Sequence, residues 1–252
     1  MRRYLLLDIG NSRVKWAIAA GGRLSRQQAV QHDGRLRGVL RGPLAKAMGG
    51  VDAVSCVSVA APAMTTALLR QLRRRGLPAR RLQSRREQLG LRNGYREAWR
   101  LGADRWAVML GARALGLGRR SLLVVGAGTA LTVDLVDPAG RHLGGVIVPG
   151  RRLMAAVLLA DTAGIARRAR GLPRPGVRAA VFATDTRGAL QSGADQAAAA
   201  LVERLRVEAR RKLGHYPQVV LTGGDGPALA RKLKCRFKLV PDLVLRGLAA
   251  AL

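Results

Sequence analysis

Two stretches of this chain run as strand, tight glycine turn and strand, and this pattern limits the possible folds more than any other feature. The first is LLLDIGNSRVKW, in which an apolar run ends at Asp8, turns through Gly10-Asn11-Ser12 and returns with alternating basic and apolar residues. The second, residues 121–150, contains GAGTALTVD and turns twice. Alternating polarity around glycine-rich turns predicts β-hairpins. Two halves that each open with such a hairpin predict a duplicated α/β unit.

The rest of the chain alternates between strand-like and helix-like patterns. The first hairpin should pair residues 4–8 with 14–20, and Gly21-Gly22 should turn the chain into a third short strand. The further predicted elements are helices at 36–47, 61–75, 153–166 and 188–213, strands at 53–60, 218–222 and 237–240, a helix after Gly226 and a last helix ending at Leu252. An irregular basic loop at 78–94 should precede a helix that Asp104 could cap. The boundary near 117–121 predicts two domains, 1–118 and 119–252.

The composition describes a folded protein with a large excess of positive charge. Of 252 residues, 48% are hydrophobic and 24% charged, which allows a core and excludes a mainly disordered chain. The formal net charge is +30, because 45 Lys and Arg face 15 Asp and Glu. Aromatic residues make up only 3%, so basic and aromatic residues do not interleave as they do in base-stacking surfaces. Solvated arginine-rich helix faces therefore explain the charge better than a dedicated nucleic-acid surface, and we expect at most weak, non-specific nucleic-acid binding.

The sequence favours a cytoplasmic protein with no membrane segment. Cys56 and Cys235 are the two cysteines, both in apolar strand-like settings, so we expect buried thiols in a reducing compartment and no disulfide framework. The apolar run LMAAVLLADTAGIA is broken by Asp161 and is too short to span a bilayer, and the first residues do not form a signal peptide. The histidines lack metal-ligand spacing, so we expect surface or loop positions for His32, His142 and His215.

The opening turn has a composition that suits phosphate binding. A strand that ends in a carboxylate before Gly-Asn-Ser exposes several backbone N–H groups beside an acid, which fits a nucleotide phosphate and a Mg²⁺ ion near Asp8. A plain hairpin turn would use the same residues. The second glycine turn, with its Thr129 hydroxyl, and a third glycine loop, LTGGDG at residues 221–226, favour the nucleotide interpretation.

Three such loops in this order resemble the phosphate-1, phosphate-2 and adenosine elements of the actin/hexokinase/Hsp70 ATPase superfamily. Within it, DIGNSRVKW, LGADRW, GTALTVD, GGVIVPG and TRGALQSG resemble the motifs of type III pantothenate kinase, in the same order over about three quarters of the chain. The resemblance implies an α/β fold of two ribonuclease-H-like lobes, each a mixed sheet with flanking helices, with an ATP cleft between them. It also implies a homodimer that phosphorylates pantothenate with ATP and Mg²⁺, the first step of coenzyme A biosynthesis.

The same resemblance assigns roles to individual residues. The ATP-binding residues would be Asp8, Ile9, Gly10, Asn11, Ser12, Arg13, Val14, Lys15 and Thr129, with Asp8 also near the metal. The substrate-binding residues would be Tyr95, Gly102, Ala103, Asp104, Arg105 and Thr186. Asp104 matches the family's general base, which is chemically reasonable because phosphoryl transfer needs positioning, charge neutralisation and one acceptor for the hydroxyl proton. Arg105 would pair with the substrate carboxylate. A helix cap and an exposed helix charge are the alternatives for these two side chains.

The chain departs from the family pattern at two positions. Gly126 stands where the family usually has an Asp that holds a monovalent cation such as K⁺ or NH₄⁺, and Asp134 or Asp137 could supply charge nearby. Ala98 stands where the family tends to have Pro, which predicts a less rigid loop after Tyr95.

Two alternative functions remain open from the sequence. One is another kinase of the superfamily that acts on a sugar or an acetate-like acid, although LGADRW and TRGALQSG argue against it. The other is a degenerate kinase homologue that serves as a regulatory or nucleic-acid-binding accessory factor, which the +30 charge and Gly126 would favour.

Overall fold

The computed structural model describes residues 1–32, 42–169 and 180–252. Its strands are β1 (Arg3–Ile9), β2 (Arg13–Ala20), β3 (Arg23–Leu24), β4 (Gln28–Gln31), β5 (Ala53–Ser58), β6 (Ala79–Arg81), β7 (Glu87–Gln88), β8 (Leu91–Arg92), β9 (Leu122–Ala127), β10 (Ala130–Val136), β11 (His142–Pro149), β12 (Gln218–Thr222) and β13 (Phe237–Leu239). Its α-helices are α1 (Pro43–Ala47), α2 (Pro62–Arg74), α3 (Ala103–Ala114), α4 (Arg151–Asp161), α5 (Ala163–Arg168), α6 (Thr186–Leu213), α7 (Gly226–Ala230) and α8 (Leu243–Ala250), and 3₁₀ turns lie at Ala98–Arg100 and Leu117–Arg119.

The first sheet forms around the opening hairpin. Its strand order is β3-β2-β1-β5-β6, and β4 also pairs with β2. Strand β1 is antiparallel to β2, with Asp8 opposite Lys15, and parallel to β5. Residues 5–9 of β1 are all buried, as expected for a central strand with both faces covered. The hairpin predicted from the glycine turn is confirmed, as is the short third strand.

The second sheet repeats the strand order of the first. Its order is β11-β10-β9-β12-β13, which matches the path β3-β2-β1-β5-β6 of the first sheet when β4, which pairs with β2 off that path, is left out. Strand β12 lies parallel to β9 and to β13. Its core packs apolar residues of β9 and β12 against α6, which contributes Ala198 and Val202. The predicted duplicated α/β fold with mixed sheets and flanking helices is confirmed.

The chain forms two compact units, and their boundaries differ from a single cut between residues 118 and 119. One unit contains residues 1–119, 136–144 and 242–252, and the other contains 120–135 and 145–241. Residues 136–144 belong to the first unit because Arg92 forms a β-bridge with Arg141 and donates its backbone N–H to Gly140 O at 2.8 Å. Residues 242–252 belong to the first unit because α8 packs on α3 and β1. These are long-range contacts that the residue pattern does not reveal.

Two glycines allow α3 and α8 to approach closely. A Cβ on Gly247 would overlap the carbonyl group of Ala107, and a Cβ on Gly111 would overlap the carbonyl oxygen of Leu243. Helix α3 is otherwise buried along most of its length, including Trp106. Because α3 begins at the LGADRW motif, its packing on α8 fixes the place of that motif in the first unit.

Several element predictions need correction. The loop predicted at 78–94 contains β6, which extends the first sheet, and the small β7-β8 pair. The single helix predicted at 153–166 is two helices, because Thr162 has extended backbone angles between α4 and α5. The helix predicted at 36–47 is described only as α1, since residues 33–41 lie outside the described ranges. None of the helices in the described parts of the chain has the length and apolar character needed to cross a membrane.

Candidate active site

The first glycine turn joins β1 to β2. Gly10 N–H donates to Arg13 O at 2.9 Å, which closes the turn and leaves Asn11 and Ser12 exposed at its tip. Ile9 and Val14 flank the turn, and their side chains are buried in the core. Of the residues predicted to bind ATP here, these two can therefore contribute only backbone groups, whereas the tip offers both amides and polar side chains.

His32, the residue directly after β4, supports this turn, and this role was not predicted. Its backbone N–H donates to Ser12 O at 3.0 Å, and its Nε2 donates to Gly10 O at 2.9 Å. No residue pattern indicates this role, because it depends on the pairing of β4 with β2. A histidine that we expected on the surface or in a loop is half-buried and fixes two carbonyls of the turn.

Asp8 is a buried carboxylate next to two charged side chains. Lys15 Nζ lies 3.6 Å from Asp8 Oδ2. Burial raises the pKa of Asp8, Lys15 partly offsets that rise, and the nearby carboxylate of Asp104 adds to it. The structure thus brings together two of the predicted site residues, Asp8 and Asp104, that are 96 positions apart in sequence. Two neighbouring carboxylates, when ionised, are a donor set that suits a hard divalent cation such as Mg²⁺.

Asp104 and Arg105 lie in the first turn of α3. Gly102 is the N-cap residue, so the prediction that Asp104 could cap the helix is wrong. The Asp104 side chain is instead in the first turn, where its Oδ1 accepts the Arg105 N–H at 2.8 Å. A Cβ on Gly102 would lie 2.7 Å from that same oxygen, so Gly102 leaves room for the carboxylate. The helix N-terminus stabilises the ionised form of a carboxylate, which is the form that a general base needs, and the Arg105 N–H fixes its orientation.

Arg105 is a buried arginine that contacts Tyr95. Its side chain is not an exposed helix charge, since the residue is only 4% exposed. Arg105 Nη1 donates to Tyr95 Oη at 3.0 Å, and its guanidinium carbon lies 5.7 Å from the Tyr95 ring centroid. These two predicted substrate-binding residues are therefore in direct contact.

The loop that carries Tyr95 is braced by a buried asparagine. Asn93 Oδ1 accepts the Tyr95 N–H at 3.0 Å, and Asn93 Nδ2 donates to Ala98 O at 3.0 Å. Arg86 Nη1 donates to Tyr95 O at 2.9 Å. These bonds hold both ends of the loop in the place where the family tends to use a proline at position 98.

The second glycine turn and its neighbours pack closely in the other unit. Gly150 N–H donates to Thr129 O at 2.8 Å, and a Cβ on Gly150 would overlap Gly128 O. A Cβ on Gly223, which has a φ of +99°, would overlap the carbonyl group of Ala127. Thr129 itself is exposed. The turn at 127–129 is thus fixed by glycines of the VPG and TGG segments.

An ionic network around the buried Asp225 lies beside this turn. Arg151 Nε is 2.5 Å from Asp195 Oδ1, and Arg152 Nε is 2.8 Å from Asp225 Oδ1. Arg151 Nη1 is also 4.0 Å from Asp225 Oδ1. The network connects the start of α4, α6 and the third glycine loop within the second unit.

The remaining predicted residues have clear local settings. Thr186 is the first residue of α6, after Asp185, whose carboxylate accepts the Gly188 N–H at 2.8 Å. Gly126 lies at the end of β9, where a Cβ would be 2.7 Å from Thr132 Oγ1. Asp137 Oδ2 lies 2.6 Å from Arg141 Nε, so the Asp137 carboxylate forms an ion pair within its own turn. Among the described residues, no group of three or more His, Cys, Asp or Glu side chains could hold a metal ion.

The two cysteines and the two other histidines differ in how far they are buried and in what they contact. Cys56 is buried in the first core, where burial raises the pKa of its thiol to about 11 despite nearby Arg81, and Cys235 is half-buried. His215 hydrogen-bonds Ser121. His142 is buried and stacks on Tyr95, so the expectation of a surface or loop position is wrong for it.

Comparison with protein families and curated relatives gives a consistent result. A model of the type III pantothenate kinase family matches residues 4–208. The type III pantothenate kinase of Acidovorax ebreus is 36% identical over 97% of this chain and 94% of its own length. That of Stenotrophomonas maltophilia strain K279a is 39% identical over 97% of this chain and 95% of its own length.

Solved structures with the same fold are more distant in sequence. A protein from Campylobacter jejuni described as a Baf family transcriptional activator is 21% identical, with a TM-score of 0.60 over 97% of this chain and 95% of that one. The activator of 2-hydroxyisocaproyl-CoA dehydratase from Clostridium difficile, solved with bound ADPNP, is 14% identical, with a TM-score of 0.53 over 99% of this chain and 93% of that one. At this level of identity the likeness concerns the fold alone.

Proposed function

This chain belongs to the type III pantothenate kinase family, and on that premise we propose that it transfers the γ-phosphoryl group of ATP to the primary hydroxyl of pantothenate. The product is 4′-phosphopantothenate, and the reaction is the first step of coenzyme A biosynthesis in the cytoplasm. The observation that carries the proposal is the group formed by Asp8, Asp104, Arg105 and Tyr95 in the first unit. It combines a buried acid at a glycine turn with an acid and an arginine at a helix start.

Asp104 is the proposed general base. The Arg105 N–H at the start of α3 fixes the orientation of its carboxylate, which would accept the proton of the substrate hydroxyl. Arg105 is the proposed partner of the pantothenate carboxylate, because a guanidinium offers several donors in a plane that matches a carboxylate. Gly102 and Ala103 would line the same helix start, and Thr186 would contact the substrate from α6.

Asp8 and the first glycine turn are the proposed nucleotide and metal site. The turn amides and the side chains of Asn11, Ser12, Arg13 and Lys15 would bind ATP phosphates, and Thr129 would contact ATP from the second turn. A Mg²⁺ ion at Asp8 would neutralise phosphate charge during transfer. Metal binding would also relieve the cost of ionising Asp8, whose pKa is raised by burial and by Asp104.

We further propose that this enzyme responds weakly to K⁺ or NH₄⁺. Gly126 supplies no carboxylate, and the Asp137 carboxylate is already paired with Arg141. Replacing K⁺ by a bulky organic cation should change the rate by less than a few-fold, whereas a strong K⁺ requirement would contradict the proposal. A gain-of-function variant needs two changes, Gly126→Asp with Thr132→Ala, because Thr132 Oγ1 lies 2.7 Å from the position of the new Cβ.

A homodimer is supported by exposed apolar residues in the second unit. Helix α4 has no buried residue, and Leu153, Val157 and Leu158 are each exposed by 37% to 44%. Phe182 is 91% exposed. Such a group of exposed apolar side chains is typical of a surface that a partner covers. Val157→Glu should convert a dimer to a monomer in analytical ultracentrifugation, while Val59→Glu, at an exposed valine of the first unit, should leave it intact.

The test of the function is a coupled ADP-release assay with the purified chain. Pantothenate should support turnover, and a panel of sugars and acetate should not. Turnover with a sugar instead would favour another kinase of the superfamily. A chain with no kinase activity that binds nucleic acid tightly would favour the accessory-factor alternative, whose support is the +30 charge.

A further inference from the structure

His142 lies directly behind the proposed substrate-binding pair. It is the first residue of β11 and belongs to the segment 136–144, which is part of the first unit. Its ring stacks on Tyr95, with ring centroids 5.9 Å apart and an interplanar angle of 19°. The Tyr95 hydroxyl in turn accepts a hydrogen bond from Arg105 Nη1 at 3.0 Å. The three side chains therefore form a continuous row of contacts from β11 to the start of α3.

The backbone around His142 is fixed by close packing. A Cβ on Gly94 would overlap the carbonyl oxygen of His142, so only glycine allows the Tyr95 loop to approach β11 this closely. A Cβ on Gly140 would likewise overlap Gly90 O. Asp137 Oδ1 and Oδ2 bond the backbone N–H and the Nε of Arg141 at 2.8 and 2.6 Å, which holds the turn just before His142. These contacts fix the backbone that carries the imidazole ring, and the ring in turn restricts the position of the Tyr95 ring through stacking.

We propose that His142 is a positioning residue for pantothenate binding. It holds the Tyr95 ring, and Tyr95 orients the Arg105 guanidinium that would bind the substrate carboxylate, so the inference rests on the function proposed above. His142 is buried against the Tyr95 ring, so we assign it a role through Tyr95 and no direct contact with substrate. Its planar ring matters, because stacking needs a flat partner for Tyr95.

The test compares three replacements of His142. His142→Phe keeps a planar ring and should leave the KM for pantothenate within about 2-fold of the native value. His142→Leu keeps apolar volume without a ring, and His142→Ala removes both; each should raise that KM by about 3- to 10-fold, the size of one aromatic pair contact. The KM for ATP should not change. His215→Ala, at the histidine that bonds Ser121 in the other unit, is the matched control and should leave both KM values unchanged.

A double variant separates positioning from direct contact. If His142 acts through Tyr95, then Tyr95→Ala with His142→Ala should be no worse for pantothenate than Tyr95→Ala alone, because coupled residues are not additive. If the double variant raises the KM for pantothenate by the product of the two single-variant factors, the inference is overturned. An unchanged KM in both His142→Leu and His142→Ala would also overturn it.

A second readout does not depend on the proposed substrate. Phenylglyoxal modification of Arg105, followed by peptide mass spectrometry, should be faster in His142→Leu than in the native protein and in His142→Phe, since a displaced Tyr95 uncovers the guanidinium. Equal rates in all three would overturn the positioning role even if pantothenate is the substrate. Absence of turnover with pantothenate in the native protein, together with this pattern of rates, would refute the proposed function and leave the row of contacts supported.

Discussion

At the scale of single residues, the motifs located the candidate site, and tertiary contacts supplied its supports. Asp8 and Asp104 were both assigned from short motifs, and the structure brings their charges close together. His32, Asn93 and His142 were missed as supports, because each acts through partners that only the folded chain brings near. A lone histidine without ligand spacing carries no signal in the sequence for such a role.

Asp104→Asn should lower turnover while leaving the fold intact. The amide oxygen of asparagine can still accept the Arg105 N–H, so the start of α3 should keep its geometry, but the amide cannot take a proton. We expect a loss of about 10²- to 10⁴-fold in kcat, the usual contribution of a general base, with the KM for ATP little changed. Steady-state kinetics measures this. Asp242→Asn, at an acid paired with Arg246 on α8, is the control and should stay within a few-fold of native; a similar result for Asp104→Asn would remove its catalytic role.

Asp8→Asn should inactivate the enzyme and stabilise the metal-free protein. The pKa of Asp8 is raised in the folded state, first by burial and also by Asp104, so the folded state disfavours its ionisation. That cost is absent well below pH 4, where Asp8 is protonated in both states, and develops as pH rises through the folded pKa. The variant should therefore melt roughly a few degrees higher than native at neutral pH and show no advantage in acid.

Magnesium provides the matching control for Asp8. Mg²⁺ with an ATP analogue should raise the melting temperature of the native protein and have a much smaller effect on Asp8→Asn, because binding to the native state shifts the unfolding equilibrium. Thermal denaturation followed by circular dichroism, at several pH values, measures both effects. A variant that melts below the native protein at neutral pH would show that Lys15 outweighs the cost of burying Asp8.

At the scale of secondary structure elements, strong patterns were predictable and short or interrupted elements were not. Both hairpins follow from glycine turns between alternating residues, and β12 was predicted with the bounds that the structure has. Strand β6 was missed because its three residues, Ala79–Arg81, are mostly basic and owe their conformation to pairing with β5. The end of α4 at Asp161 was missed because helical periodicity continues across Thr162 into α5.

Gly247→Ala should separate α3 from α8 and weaken the site from a distance. The added Cβ would overlap the carbonyl group of Ala107, so one helix must shift. We expect a loss of about 1–3 kcal/mol in the free energy of unfolding, as for overpacked cores, together with reduced activity because α3 carries Asp104. Gly193→Ala is the control, since Gly193 lies within α6 with no atom near its Cβ position. That change should stabilise by about 0.5–1 kcal/mol. Urea denaturation of both variants and the native protein measures these changes. If Gly247→Ala is as stable as the native protein, the two helices adjust to the added Cβ without cost.

At the scale of the whole molecule, the fold class was predictable because the same pattern occurs twice. Apart from the additional strand β4 in the first sheet, the two sheets share one strand order, as a duplicated unit requires. The exchange of segments was not predictable. Residues 136–144 and 242–252 join the first unit through contacts such as Arg92 with Arg141 and Gly247 with Ala107, and glycine positions show such close approaches only once the packing is known.

The net charge of +30 is also a property of the whole molecule, and it leads to the last prediction. If the arginines are solvated side chains on many surfaces, nucleic acid should bind only through its phosphates. The logarithm of the binding constant should then fall linearly with the logarithm of salt concentration, with a similar slope for any sequence, because counterion release is the driving force. Fluorescence anisotropy with two labelled duplexes of unrelated sequence, measured from about 50 to 300 mM salt, tests this. Both duplexes should bind the protein comparably at the lowest salt and lose most of their affinity at the highest.

Pantothenate turnover at physiological salt should be the same with and without the duplexes. Tight binding of one duplex at physiological salt would instead assign the charge a dedicated surface and favour the accessory-factor alternative, since weak phosphate contacts spread over the molecule cannot distinguish two sequences.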